Sequence, residues 1–305
     1  MSAIHQTSGD LIADRRFEWA RGLIDEGDHA AAAELLAEVV ALAPGFAAAW
    51  FALGETREKL GNTVGAVAAF EKARAADPRD AHGAAVRLAR LGALPPVAMP
   101  IGYIQSLFDG YAPKFETSLT GHLNYRGPQL LLDALTRAGA PSHFADALDL
   151  GCGTGLAGDL FRALCGRLTG VDLSGGMLQV AQGKKVYDEL VEAEAMTFLG
   201  SARPNSFDLV LAADVFIYFH ELMQIGVPIA RVLKPGGYLA FSVETHDDDG
   251  VILRDTLRYA HSEAHVRAAV AGGGLELLVC ERASTRTERG VAVPGLVVVA
   301  KKEGA

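Results

Sequence analysis

The stretch "DLGCGTGLAG", residues 149–158, decides the fold. Four glycines, Gly151, Gly153, Gly155 and Gly158, follow the apolar run "DALDL" at residues 146–150. Loops of this kind hold phosphates, dinucleotides or S-adenosylmethionine. The phosphate-binding P-loop needs Gly-Lys-Ser/Thr, and no lysine follows these glycines. The dinucleotide fingerprint G-x-G-x-x-G is present as "GTGLAG", residues 153–158, and Asp172 lies 19 residues beyond Gly153. In a dinucleotide domain the first of those glycines follows the strand directly, and a pyrophosphate faces the helix N-terminus. Here "GC" intervenes and the apolar run carries Asp149 near its end. A carboxylate there repels a diphosphate and suits an ammonium group. S-adenosylmethionine carries an ammonium, a sulfonium and a carboxylate, and no phosphate.

Working outward, apolar runs alternate with helix-length segments. "RLTGVDL" (167–173) contains Asp172, "ELVEAEA" (189–195) contains Glu194, and "FDLVLAADVF" (207–216) contains Asp214. "GYLAFSVE" (237–244) is the fifth such run. The spacers 156–165, 174–186, 196–202 and 220–233 predict helices, so the pattern implies a parallel sheet covered on both faces. The end departs from it. "GLELLVCERAST" and "PGLVVVAKK", joined by the polar "RTERGVAV", predict an antiparallel hairpin that closes the sheet. Ligands of open sheets bind at the carboxyl ends of the strands, which puts the acidic residues and the glycines at one edge.

The first ninety residues repeat with a period of 34. Gly27-Asp28 maps to Gly61-Asn62, Ala32 to Ala66, Leu36 to Phe70, Val39 to Ala73 and Pro44 to Pro78. The second copy also has Trp50, Leu53 and Gly54, where the first has Arg16, Trp19 and Ala20. This resembles the tetratricopeptide pattern W-x2-L-G … A-x3-F … P. Gly54 and Ala66 are small where two helices touch, Trp50 and Phe70 fill the gap between pairs, and Pro78 stops the second helix. "DAHGAAVRLARLG" reads as a capping helix. The resemblance implies a groove for a protein partner or a packing module.

The 305 residues carry a formal net charge of −9 with no lysine-arginine cluster, so a nucleic-acid surface is disfavoured. Cys152, Cys165 and Cys280 fit neither a disulfide framework nor a zinc site, which points to reduced thiols and a cytoplasmic location. No signal peptide is visible at the N-terminus. The run "LGALPPVAMPIGYIQSLF" (91–108) holds three prolines and two glycines, so it reads as a linker and not a membrane helix.

Four ordered stretches carry a second resemblance. "DLGCGTG" (149–155), "VDLSGGML" (171–178), "FDLVLAADVFIYF" (207–219) and "VLKPGGYLAFSVE" (232–244) resemble the motifs of class I S-adenosylmethionine-dependent methyltransferases. Together with the repeats, the chain resembles methyltransferases with tetratricopeptide repeats. The fold this implies is α/β: a Rossmann-like seven-stranded sheet with a C-terminal antiparallel hairpin, preceded by an all-α repeat domain. The expected boundaries are 10–94 for the repeats, 95–102 for the linker and 103–305 for the methyltransferase domain with its lid helices.

The expected cofactor is S-adenosylmethionine, with Asp149 near its ammonium and Gly151, Gly153 and Gly155 admitting its methionine portion. Asp172 would accept from the ribose hydroxyls. Leu173 and Met177 would flank the adenine, with Glu194 and the adjoining Ala195 at its amino group. Asp214 would face the methionine end or the substrate. The aromatic-rich segment 103–126 forms a lid in the resembling family, and Tyr111 and Arg126 are its candidates for cofactor contact. Candidate bases are Tyr218, His220, His246 and His261. "ETHDDDG" (244–250) reads as a solvated turn, and no metal is expected.

The reaction expected is methyl transfer to oxygen or nitrogen of a small molecule or a protein partner, without nucleic acid or membrane. One alternative is a repeat-based binding scaffold with a regulatory or vestigial cofactor pocket. The other is an NAD(P)-dependent oxidoreductase.

Overall fold

The computed structural model describes residues 7–117 and 123–304. The chain forms two compact units that part between Leu107 and Phe108.

The first unit is helical. Helices α1 (Leu11–Glu26), α2 (His29–Leu42), α3 (Ala47–Lys59), α4 (Thr63–Ala76) and α5 (Ala84–Arg90) follow one another through short turns. The repeat is visible in the caps: the side chains of Asp28 and Asn62, equivalent in the two copies, each accept from a backbone amide in the first turn of the next helix. Close helix contact explains Gly54. A Cβ there would come within 2.5 Å of the Phe70 ring. Leu36, Val39, Phe46 and Leu53 pack in one apolar cluster, and Phe70 packs with Ala66 and Leu88 in the next. Buried Asp80 caps α5, accepting from the Ala84 and Ala85 amides at 2.7 and 2.8 Å.

The stretch 91–108 is helical from Ile101 onward. Helix α6 (Ile101–Tyr111) starts directly after Pro100, a residue pre-organised for a helix start.

In the second unit, a 3₁₀ turn (Ala112–Lys114) and α7 (Gly127–Arg137) lead into β1 (Phe144–Leu150), α8 (Leu156–Phe161), β2 (Cys165–Asp172), α9 (Gly175–Lys184) and β3 (Glu189–Glu192). Then come α10 (Ala195–Ser201), β4 (Phe207–Ala212), α11 (Leu222–Val232) and β5 (Leu233–Thr245). The chain ends through β6 (Val251–Leu253), β7 (Tyr259–His261), α12 (Glu263–Gly272), β8 (Leu275–Arg282), β9 (Thr287–Glu288), β10 (Val291–Ala292) and β11 (Gly295–Lys302).

The main sheet runs β3-β2-β1-β4-β5-β11-β8, with the first five strands parallel, β11 antiparallel to β5, and β8 antiparallel to β11. This is the seven-stranded sheet with a closing hairpin expected from the sequence. Its central strands are apolar on both faces. Leu148, Leu150 and Val210 pack in one core cluster, while Ala147, Leu209 and Leu211 pack in the other. The structure adds two devices at the carboxyl edge. The β6–β7 ribbon extends the sheet, with β7 parallel to β5, and β9–β10 forms a separate small hairpin between β8 and β11. The strand order reverses between β1 and β4, so the glycine bend after β1 lies at the switch point of the sheet.

Candidate functional site

The glycine bend is fastened to β2. The Gly151 and Cys152 amides both donate to the Val171 carbonyl, at 2.7 and 3.0 Å. Gly151 has φ +70°, and a Cβ there would collide with Val215, so both backbone and space require glycine. Gly153, with φ +55°, is different. A Cβ there would meet only the edge of the Phe115 ring, at 3.8 Å. The bend therefore leaves backbone accessible at Gly153, as a close-fitting ligand needs.

Three carboxylates surround this bend. Asp172, at the end of β2, accepts from the Gly153 amide through Oδ2 at 2.8 Å and from the Ser174 amide through Oδ1 at 2.9 Å. Burial lifts it above the usual carboxylate range, and the nearby charge of Asp109 adds to the lift. Asp149 is 1% exposed, and its Oδ2 accepts from the Tyr187 hydroxyl at 2.6 Å. Burial pushes its pKa up to about 7, against the Tyr187 hydrogen bond and with the help of the Asp172 charge. Asp109, on α6, accepts from the Ser174 hydroxyl at 2.5 Å and the Gly176 amide at 3.2 Å. Among the described residues no lysine or arginine pairs with any of the three. Such a donor set fits a cation and opposes a diphosphate.

Tyr187 was not among the residues singled out from the sequence. Its ring lies where side chains at Gly155, Gly158 and Gly170 would stand, a Cβ at Gly158 falling 2.5 Å from it. The glycines that look like a ligand fingerprint are thus partly a slot for a tyrosine. The only sequence signal was an aromatic in the polar connection "KKVYDE".

An aromatic roof covers the bend. Phe115 contacts Phe108 and Tyr111 edge-on, at centroid distances of 6.1 and 5.6 Å, and Phe108 meets Tyr218 at 5.6 Å. Asp109 fastens one end of this segment to α9, and the Glu116–Lys184 pair at 2.6 Å fastens the other. Residues 118–122 of the expected lid lie outside the described residues. Tyr111 is exposed and touches Phe115. Arg126 is exposed, and its backbone amide donates to the Thr285 carbonyl at 2.8 Å.

The remaining sequence-predicted residues fall as follows. Glu194 caps α10, accepting from the Met196 amide through Oε1 and from the Thr197 amide and hydroxyl through Oε2. Ala195 is the first residue of that helix. Leu173 is half-buried beside Asp172, whereas Met177 is 1% exposed. Asp214 lies away from a free edge. Its Oδ1 accepts from the Ser242 hydroxyl at 2.6 Å, and its Oδ2 from Thr285 Oγ1 at 2.9 Å and Arg286 Nη1 at 2.8 Å.

Asp214 belongs to an ionic cluster that the sequence did not announce. Arg286, 4% exposed, also pairs with Glu244 and Glu288. Arg254 and Arg258 approach Glu244, and Arg258 pairs with Glu288. Three arginines thus meet three carboxylates. Arg286 and Glu288 come from the connection "RTERGVAV", which alone reads as a polar turn.

Of the candidate bases, Tyr218 is half-buried, hydrogen-bonded to Arg258 and raised in pKa by burial. His246 Nε2 lies 3.2 Å from the Gly250 carbonyl. His261 is fully buried, with Nε2 2.8 Å from the Phe219 carbonyl, and burial lowers its pKa to about 3. A carbonyl only accepts, so Nε2 carries the hydrogen in both imidazoles. His220 meets Tyr259 edge-on at 5.2 Å and makes no side-chain hydrogen bond among the described residues. In the "ETHDDDG" turn, Asp247 pairs with Arg282 at 2.7 Å. No group of three His, Cys, Asp or Glu among the described residues is arranged to hold a metal ion.

Comparison with known proteins agrees with this geometry. Residues 148–241 match the family model of the methyltransferase domain, and residues 23–91 that of the tetratricopeptide repeat. The chain thus carries a stretch similar to methyltransferase domains behind one similar to tetratricopeptide repeats. It is 33% identical over 148 residues to human methyltransferase-like protein 27, covering 47% of this chain and 58% of that protein. It is 33% identical over 109 residues to the ubiquinone biosynthesis O-methyltransferase of Thiobacillus denitrificans, covering 34% of this chain and 46% of that one. The chain thus spans about half the length of the curated relatives it matches.

Among solved structures, the fold is shared with the Burkholderia thailandensis 1,6-didemethyltoxoflavin-N1-methyltransferase, solved with its substrate and S-adenosylhomocysteine. That likeness has a TM-score of 0.54 at 19% identity, over 68% of this chain and 92% of that one. It is shared equally with the [4+2]-cyclase SpnF, at a TM-score of 0.54 and 18% identity, over 66% of this chain and 97% of that one. A methyltransferase and a cyclase on one fold leave the reaction to be argued from the site. No helix among the described residues is long and apolar enough to cross a membrane.

Proposed function

We propose that this protein binds S-adenosylmethionine at the glycine bend and transfers its methyl group to oxygen or nitrogen of an acceptor. The observation that carries this reading is the set of carboxylates at the bend, Asp149, Asp172 and Asp109, which have no cationic partner among the described residues and of which Asp149 and Asp172 are raised in pKa. A sulfonium and an ammonium relieve that charge, whereas a nicotinamide dinucleotide brings a diphosphate against it.

In this reading Asp172 accepts from the ribose hydroxyls. Each of its oxygens accepts one backbone amide and retains a lone pair. Leu173 forms the adenine wall, because Met177 lies in the core beneath. Glu194 Oε1, with a single donor from the backbone, accepts from the adenine amino group beside Ala195. Gly151, Gly153 and Gly155 line the methionine portion, with Asp149 nearest its ammonium. Tyr111 and Arg126 stay as outer contacts for the cofactor carboxylate. Asp214 shapes the acceptor side through Arg286 without facing the cofactor.

The bound cofactor supplies an electrophilic methyl group. The chain supplies alignment and exclusion of water: the Phe108, Phe115 and Tyr218 roof shields the bend, and alignment of this kind lowers a barrier by several kcal/mol. His220 takes the acceptor's proton: its side chain makes no hydrogen bond among the described residues, whereas Tyr218 is bonded to Arg258 and His261 is fully buried. The aromatic cluster beside the bend favours a small-molecule acceptor in a cytoplasmic setting, and a protein acceptor recruited by the repeats is the second reading.

Calorimetric titration with S-adenosylmethionine and with NAD tests the cofactor. Binding of the first and not the second is expected, and the reverse overturns the reading. His220→Ala is expected to lower kcat with KM little changed. An unchanged kcat removes the proton-accepting role.

A further inference from the structure

The internal repeat shows that one face of α1 is unfinished. The positions in α3 equivalent to Ile12, Arg15, Trp19 and Gly22 are Phe46, Ala49, Leu53 and Thr56, exposed by only 4, 0, 0 and 2%. The α3 face is covered: Phe46, Ala49 and Leu53 pack with Leu36, Val39 and Val40 of α2 in one apolar cluster. Among the described residues no helix covers the equivalent face of α1, where Ile12 is 60% and Trp19 67% exposed.

The spacing of this face is that of a packing seam. Ile12, Arg15, Trp19, Gly22 and Glu26 recur at steps of three and four, one stripe of a helix that meets another helix. Gly22 sits inside α1 on the exposed side, where a Cβ would meet nothing within 4 Å. A helix-interior glycine costs about 1 kcal/mol relative to alanine, and nothing within this unit needs one there. Arg15 and Glu26 are exposed and make no ion pair among the described residues, whereas Arg16 and Glu18 on the flanks pair with Glu38 and Arg21.

The seam complements itself. Set antiparallel to a second α1 about a two-fold axis between Ala20 and Arg21, Trp19 stands opposite Gly22 of the other copy, and Arg15 opposite Glu26. The large side chain meets the notch and the cation meets the anion, twice each, as an isologous contact requires. The other end of the array offers no such partner, since Ala84, Val86 and Leu88 of α5 are buried. We propose that the protein forms a homodimer through antiparallel packing of α1 against α1, with Trp19 seated on Gly22 of the second copy. One helix pair buries an area at the small end of specific interfaces, so the dimer is a weak, reversible one.

Sedimentation of the full chain over roughly 1 to 100 µM is expected to show a monomer–dimer equilibrium. Arg15→Glu and Glu26→Arg each place like charges opposite one another and are expected to weaken the dimer about tenfold or more. The double variant Arg15→Glu/Glu26→Arg is expected to restore it. Gly22→Leu, which fills the notch on a solvent-facing position, is expected to abolish it while leaving the far-ultraviolet helical signal intact. A wild-type chain that stays monomeric throughout overturns the proposal, and so does a dimer that the single charge reversals leave unchanged. An α1 that instead serves a different protein gives the first of these results.

Discussion

Two sets of carboxylates crown the same edge of the sheet and are neutralised in opposite ways. Beyond β4 and β5, Asp214, Glu244 and Glu288 face Arg254, Arg258 and Arg286. Burial pushes Glu288 up, yet Arg258 and Arg286 outweigh it and hold the group below its ordinary value, whereas burial keeps the deeper Glu244 raised against the pull of its three arginines. Beyond β1 and β2, Asp149 and Asp172 receive only a phenol and backbone amides, and both stay raised. The first set completes itself within the fold. The second is left without a cationic side chain among the described residues, the gap that the proposed cofactor fills. An acidic residue at a strand end is therefore informative only once its partners are known: Asp214 and Asp172 look alike in sequence and do different work.

The sharpest way to break the contrast is to remove the cation that closes the first set. Arg286→Leu removes the cation paired with half-buried Asp214 and one of the three arginines around buried Glu244. Breaking a buried pair from one side costs on the order of 3–5 kcal/mol. Denaturant unfolding of the variant is expected to show that loss. A change below 1 kcal/mol contradicts the view that the cluster is internally compensated.

Next in size is the pH response of the second set. The Asp149 carboxyl titrates at about 7 in the folded chain, above the roughly 3.9 of an unfolded aspartate. Its contribution to stability is therefore complete below about pH 4 and is lost as pH rises through 7, by up to roughly 4 kcal/mol. Asp149→Asn is expected to flatten that decline and to exceed the wild type in stability at pH 8. A cationic cofactor reverses the preference, because it favours the ionised carboxylate. Its affinity is expected to rise with pH up to about 7, and binding at pH 6 to release a proton, read as a dependence of calorimetric enthalpy on the buffer. Affinity that is flat between pH 5 and 8 separates Asp149 from the ligand.

How much of this was legible follows from the range of each interaction. The sheet and its closing hairpin were readable because apolar runs such as "DLVLA" and "LVVVA" can be buried only in a two-faced sheet. The repeats were readable because Gly54 and Phe70 must meet at fixed spacing. Asp172 stood out in the sequence as a ribose acceptor, and the structure adds that it accepts from the Gly153 and Ser174 amides in neighbouring motifs. The Arg286 cluster was not, because it gathers residues from 214 to 288 that no local pattern links. Tyr187 was hidden for the same reason: its phenol reaches back 38 residues to Asp149. Glu194 carries two readings at once, because a helix cap and a cofactor acceptor draw on the same residue types.

A smaller effect separates binding from stability at the bend. Asp172→Asn keeps the shape of the side chain but removes its charge and one acceptor. A hydrogen bond to a charged group contributes about 1.5–3 kcal/mol, so S-adenosylmethionine affinity is expected to fall roughly 10- to 100-fold. Stability is expected to change little, since the variant also removes a like charge from beside Asp109 and Asp149. Equal losses of stability and affinity would instead mark Asp172 as a fastener of the bend alone.

The smallest and most specific test concerns Tyr187. Tyr187→Phe keeps the ring in the slot formed by Gly155, Gly158 and Gly170 and deletes only the hydroxyl that donates to Asp149. One hydrogen bond of this kind contributes on the order of 1 kcal/mol. Because that bond lowers the Asp149 pKa, its loss is expected to move the proton-release midpoint upward, so that cofactor binding continues to strengthen beyond pH 7. A structural filler would leave that midpoint where it was, since the ring and its packing are retained. A shift in the midpoint, with stability at pH 5 lowered by no more than about the 1 kcal/mol of the lost hydrogen bond, assigns the phenol to the charge of the site.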